Sequence, residues 1–143
     1  YRVILFDQRN CGRSLPHASL PFIDLSTNTT AHLLRDIERL RAHLGIDRWL
    51  LFAGSWGSAL ALAYAADHAD RVIEIVLWGA TSGRRSEWDW LFRGGVGRFF
   101  PDQWARVRGA LPEELRAGDV AAGYHTLLNH ADPAVRVPHR RRR

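Results

Sequence analysis

Methionine and lysine are absent from this 143-residue chain, and cysteine occurs once, as Cys11. A lone cysteine cannot close an internal disulfide, which excludes a disulfide-stapled secreted scaffold and suits a reducing compartment, the cytoplasm. No apolar run approaches the roughly 20 residues that a membrane-spanning helix needs, and no basic, apolar and small-residue series reads as a signal peptide, so no membrane partner is expected. Acidic residues are the scarcer charge: 20 basic residues, every one arginine, face 15 acidic ones for a net charge of +5. Arg140 to Arg143 supply four of those arginines, and without them 16 stand against 15. The body is nearly neutral, which argues against a basic face for nucleic acid. With no methionine and an opening at Tyr1-Arg2-Val3-Ile4-Leu5, inside what reads as a strand, the chain is expected to be a piece of a longer protein.

What is present is globular: 46% hydrophobic and 24% charged residues, in a length able to bury about 70% of its unfolded surface. Arg2 to Asp7 is a short continuous apolar run that predicts a buried strand, followed by a turn-rich loop through Pro16 and Pro21. Thr27 to Thr30 offer helix N-caps, Leu33, Leu34, Ile37, Leu40 and Leu44 recur at helical spacing, and Gly45 stands at the C-terminal cap position. Trp49 to Ala53 and Arg71 to Leu77 predict two more strands, separated by a small-residue helix from Ser58 to Ala66. Strands alternating with helices imply an α/β fold with a mostly parallel sheet.

After Gly79 the texture changes to scattered aromatics among arginines and glycines, which predicts short helices; Leu111 to Leu115 reads as a proline-started helix and Ala121 to His130 as another. Trp88, Trp90 and Trp104 between arginines suit stacking on single-stranded nucleic acid, but the core of a helical unit accounts for them better.

The strongest local signal is Ala53-Gly54-Ser55-Trp56-Gly57 between a buried strand and a small-residue helix. A nucleophile elbow is a sharp strand-to-helix turn that lifts a hydroxyl above the sheet, and its crowded backbone needs small neighbours. Ser55 occupies the nucleophile position, Gly54 and Gly57 are the small neighbours, and the Trp56 N–H faces a developing oxyanion. The usual pattern is Gly-x-Ser-x-Gly; Ala53 departs from it by one methyl. A plain Gly/Ser turn would look the same over five residues, and the strand before and helix after are what favour the elbow.

Val3 to Ser14 (Val-Ile-Leu-Phe-Asp-Gln-Arg-Asn-Cys-Gly-Arg-Ser), Asn28-Thr29-Thr30, Asp36 to Arg41, Leu44-Gly45-Ile46 and Gly54-Ser55-Trp56-Gly57-Ser58 together resemble the proline iminopeptidases, over about residues 1 to 137. The resemblance implies a partial α/β-hydrolase fold, with residues 1–81 the core carrying the elbow, 82–139 the start of a helical cap, and 140–143 an appended arginine tail. It implies a serine peptidase that releases N-terminal proline from peptides, with Ser55 as nucleophile, Trp56 N–H as one oxyanion donor and no cofactor. Asn10 stands where the family usually has glycine, and Asn tolerates left-handed geometry. Leu91, Phe92 and Arg93 follow Trp90 where the family usually reads Trp-Phe-Tyr-Gln, leaving Trp90 and Phe92 as substrate-binding candidates.

In such hydrolases the acid and histidine follow the cap, so both, with the second oxyanion donor, are expected outside this chain. His125, His130 and His139 lie in cap-like or tail sequence, His17, His32, His43 and His68 read as loop or surface residues, and Asp7 as part of a structural Asp-Gln-Arg turn. The histidines lack metal-ligand spacing, and Cys11 reads as a plain loop cysteine. The alternatives are another serine esterase or aminopeptidase of the same fold, or a non-catalytic chain.

Overall fold

The computed structural model describes residues 2–20 and 23–136. In chain order they form α1 (Thr30–His43), β1 (Trp49–Gly54), α2 (Trp56–Asp67), β2 (Val72–Trp78), α3 (Arg85–Phe92), α4 (Pro101–Gly109), α5 (Val120–Leu128) and α6 (Pro133–Arg136). Single 3-10 turns lie at Ala69–Arg71, Val96–Arg98 and Glu113–Leu115. The described residues fall into two compact units divided between Thr81 and Ser82. Pro21 of the first loop, His139 and the arginine run 140–143 lie outside the described residues.

The first unit is α/β. β1 and β2 run parallel, joined through α2, as a two-stranded sheet among the described residues. The register slips by one residue between Trp49 and Leu50, leaving Ile73 unpaired, and then holds as Phe52 opposite Val76 and Gly54 opposite Trp78. One face is covered: Leu33, Leu34 and Ile37 of α1 and Leu60 and Tyr64 of α2 form a buried cluster, with Trp49, Leu51 and Val72 of the sheet packed against it. Burial of each such aliphatic side chain stabilises by about 1.5–3 kcal/mol. Leu50, Phe52, Val76 and Trp78 make up the other face and are 40 to 71% exposed.

Both ends of α1 are closed by the residues expected. Thr29 caps the start by accepting from the His32 amide. At the other end Gly45, at φ +64°, donates to Ala42 O while Ile46 donates to Arg41 O, a Schellman pair that turns the chain into β1. A charged knot then ties the layers. The Glu38 carboxylate accepts from Tyr64 Oη at 2.7 Å and from Arg41 Nε at 2.9 Å, and Arg41 also donates to the Ile46 and Asp47 carbonyls. The Arg41 bond holds Glu38 well below its ordinary value, at about 2, while burial and the neighbouring carboxylate raise Tyr64 to about 12.

Arg2 to Asp7 is not the strand the apolar run predicts. Residues 2–8 carry no regular secondary structure, and Val3 and Leu5 are 75% and 90% exposed. A strand exists only where a neighbour takes its amides and carbonyls, and among the described residues no strand pairs with this run. The loop that follows is nevertheless built. Arg9 makes a two-pronged bond to Asp36 of α1, both contacts at 2.7 Å, and donates to Thr27 O. Asn10 adopts φ +67°, as its tolerance for left-handed backbone allows, and sends Nδ2 to Pro16 O. The Asp7 carboxylate accepts from the Arg13 amide and lies over Gly12, where a Cβ would stand 2.3 Å from its Cγ.

The second unit is helical. Leu111 and Val120 are its most buried apolar residues, and a Cβ on Gly123 would come within 2.9 Å of Leu111 Cδ1. Asp119 caps α5 through the Ala121 amide and accepts from Trp88 Nε1 at 2.9 Å, so one carboxylate joins α3 to α5. The helix expected over Leu111 to Leu115 is only the 3-10 turn Glu113–Leu115. The Leu111 carbonyl, which a continuing helix would give to the Leu115 amide, instead accepts from Arg116 Nε at 2.7 Å, while Leu115 N bonds Pro112 O.

A carboxylate at about 2 when folded and 4.5 when free binds its proton more weakly in the folded state, so it contributes stability in full above pH 4.5 and loses it as the pH falls towards 2. Glu38→Gln should therefore lower the urea midpoint at pH 7 and narrow its gap from the parent at pH 3. Equal gaps at the two pH values would contradict the assignment.

Candidate active site

Ser55 stands between the last residue of β1 and the first of α2, at the C-terminal edge of the parallel pair, and is exposed. In parallel α/β sheets this is the edge where ligands gather. Its backbone is at φ +51° and ψ −128°, a region that costs a non-glycine residue about 1–3 kcal/mol and persists only where the surroundings hold it. Those surroundings are visible. The Ser55 amide donates to Trp78 O at 3.2 Å, and the Ser55 carbonyl accepts from Ser58 N at 2.9 Å.

A serine preceding a helix ordinarily takes extended backbone and bonds the first-turn amides through its hydroxyl, as Thr29 does at α1. Ser55 makes no such capping bond. Its hydroxyl is left for other work, and so is the Trp56 N–H, which lies at the start of α2 where no earlier carbonyl of the helix can accept it. The positive pole of a helix of 12 residues is directed at the same place. A hydroxyl at a strained turn, beside free amides and a helix N-terminus, can attack a carbonyl and have the resulting oxyanion stabilised.

Crowding at the turn falls on Gly54 rather than equally on both glycines. A Cβ at Gly54 would stand 2.1 Å from Trp78 Cε2, whereas one at Gly57 would meet only Ala53 Cβ, at an ordinary 3.6 Å. Nothing local in the sequence marks Trp78, because only the strand register brings it opposite Gly54.

Within the first unit several of the other polar candidates have partners of their own. His17 bonds Ser19, His32 bonds Thr29, and the His68 ring lies against Tyr64 with centroids 4.8 Å apart. Asp7 serves its own loop. Cys11 is an exposed free thiol whose Sγ lies 3.2 Å from Gln8 O. Among the described residues no group of three His, Cys, Asp or Glu is placed to hold a metal ion.

Trp90 and Phe92 both belong to α3 in the second unit, with different surroundings. Phe92 fronts an apolar cleft of about 590 Å³ together with Phe100, Trp104, Val120 and Tyr124. Trp90 packs instead on Phe99, and a Cβ on Gly95 would lie 2.5 Å from its ring. Leu91 also lines the cleft, and Arg93 is drawn to Asp89 at 3.1 Å and Asp119 at 3.7 Å.

The sequence pattern of the family described as the alpha/beta hydrolase fold matches residues 1–135. The chain belongs to that family. As an alpha/beta hydrolase it is 52% identical over 136 residues to a probable proline iminopeptidase of Streptomyces coelicolor, a match covering 95% of this chain and 42% of the relative. It is 50% identical over 137 residues to a proline iminopeptidase of Xanthomonas citri, with 96% and 42% covered. A proline iminopeptidase of Arabidopsis thaliana is 47% identical over 132 residues, with 92% and 33% covered. The chain thus spans 42% or less of the length of these relatives.

The two elbow glycines of this alpha/beta hydrolase separate in a simple experiment. Gly54→Ala forces the alanine into the Trp78 ring and should cost about 1–3 kcal/mol in urea unfolding. Gly57→Ala, in the first turn of a helix and with only an ordinary 3.6 Å contact to Ala53, should be neutral or stabilising by up to about 1 kcal/mol. The reverse order of costs would contradict the packing described.

Proposed function

We propose that this chain is part of a serine peptidase that releases N-terminal proline from peptides, as the names of its relatives in Streptomyces coelicolor and Xanthomonas citri suggest. The observation that carries the reading is Ser55 at φ +51° with its hydroxyl withheld from helix capping. In this reading the Ser55 oxygen attacks the carbonyl of the N-terminal proline while its proton passes to a histidine supplied, with the acid that orients it, by sequence outside this chain. The Trp56 N–H stabilises the oxyanion, and a second donor also comes from outside the chain. Collapse expels the shortened peptide as an amine carrying the transferred proton and leaves a prolyl ester on Ser55. Water then hydrolyses the ester, releasing free proline and restoring the hydroxyl.

Residues 82–139 are assigned in this reading to the helical cap. The apolar cleft fronted by Phe92 has the character that an imino-acid ring requires, and Trp90 steadies α3 from its contact with Phe99. Arg93 departs from the family's usual residue, but its ion pairs to Asp89 and Asp119 occupy its charge, so it does not favour a different substrate class. A cytoplasmic setting fits the exposed free Cys11, and among the described residues no helix is long and apolar enough to cross a membrane.

At the length of its relatives the protein should hydrolyse proline amides faster than other aminoacyl amides or short esters, and Ser55→Ala should lower kcat by roughly 10⁴ to 10⁶. The 143-residue chain alone should turn over little or none. Preference for another aminoacyl amide or an ester would move it to a different hydrolase of the same fold. Failure of Ser55 to take up an organophosphonate at full length would mark a non-catalytic protein.

A further inference from the structure

Trp78 meets the elbow twice. Its carbonyl accepts the Ser55 N–H at 3.2 Å, extending the parallel ladder one residue beyond the Gly54–Trp78 pair. Its indole lies against Gly54 so closely that a Cβ there would stand 2.1 Å from Cε2, 2.4 Å from Cζ2 and 2.6 Å from Nε1. The ring is braced on its own side of the sheet by Phe52, with centroids 4.6 Å apart. One residue therefore bounds the peptide before Ser55 with a flat ring and its amide with a carbonyl.

That enclosure matters because Ser55 has an easier conformation available. With room at Gly54 the turn can relax to the extended N-cap geometry of Thr29, and the hydroxyl then falls onto the first amides of α2. In that state the oxygen is engaged as an acceptor by the helix. The indole takes that room away: it lies so close to Gly54 that not even a methyl would fit between them.

We propose that Trp78 is the positioning residue of the nucleophile: ring and carbonyl together hold Ser55 at positive φ and keep its hydroxyl off the helix. The kinetic consequence rests on Ser55 being the nucleophile; the conformational consequence does not.

The test uses Trp78→Ala and Trp78→Phe in the full-length protein. Trp78→Ala should slow organophosphonate labelling of Ser55 and lower kcat on a proline amide by about 100-fold, with KM within about twofold of the parent. Trp78→Phe should recover most of the rate, since a smaller flat ring still covers Gly54. A crystal structure of Trp78→Ala should show Ser55 at negative φ with its oxygen bonded to an α2 amide. Gly54→Ala should be no worse in the Trp78→Ala background than Gly54 itself. Ser55 remaining near φ +51° in Trp78→Ala, with labelling unchanged, would overturn the proposal even if the variant melts at a lower temperature. A parent that labels at Ser55 without releasing proline would sink the peptidase reading alone. In a parent that does not label, the φ of Ser55 in the two crystal structures still decides the role of Trp78.

Discussion

The Glu38 carboxylate, shared between the Tyr64 hydroxyl and the Arg41 guanidinium, is the contact through which the parts of the first unit are set against one another. Tyr64 is fully buried and Arg41 nearly so, and a buried guanidinium is tolerable only when its donors are matched. Arg41 meets that demand with Glu38 on one side and the Ile46 and Asp47 carbonyls on the other. Those carbonyls belong to the turn leading into β1, and Tyr64 belongs to the helix leaving it. The Trp49 ring, edge-on to Tyr64 at 5.9 Å, closes the circuit at the start of the strand. The helix α1, the entry to β1 and the body of α2 are thus held by one network, and the elbow is the short piece of chain between two fixed elements.

Fixing both sides of a tight turn is what allows strain to be kept inside it. Ser55 sits in a backbone region that a free chain would leave, with an amide tied to the neighbouring strand and a carbonyl tied into α2. The same geometry withholds the hydroxyl from the capping role for which serine is otherwise suited. Structure and chemistry meet here: a conformation that costs stability leaves the Ser55 hydroxyl without a capping bond at the N-terminal end of α2. The Asp-Gln-Arg loop serves a supporting part, with Arg9 clasping Asp36 and so fastening the loop to the helix that carries Glu38.

Local signals in the sequence were followed closely where the determining contacts are themselves local. The Thr29 cap, the Gly45 turn, β1, β2 and α2 all appear within a residue or two of their expected limits, because caps, glycine turns and apolar runs act over a few residues. Arg2 to Asp7 failed for the opposite reason. Its apolar content is real, but a strand is a property of a pair, and no strand among the described residues lies beside it. Leu111 to Leu115 failed because the side chain of Arg116 takes the carbonyl that a helix would have used. The aromatic candidates of α3 were recognisable as a group, yet their division into Phe92 at a cleft and Trp90 against Phe99 depends on which faces neighbouring segments cover.

By itself the sequence determined the α/β class of the first unit, the helix ends, and the serine at a strand-to-helix turn, since each rests on residue types at fixed short spacing. It also carried the likeness to proline iminopeptidases, written in the Asp-Gln-Arg loop and the Gly-Ser-Trp-Gly-Ser elbow. Only the tertiary structure decided that Gly54 and not Gly57 is the crowded glycine, and that the ring filling the space is Trp78. The reason is register: Gly54 and Trp78 are 24 positions apart in the chain and become neighbours only when β1 and β2 pair in parallel at one particular offset. A one-residue slip would turn the indole to the opposite face of the sheet and leave Ser55 free to become an ordinary helix cap.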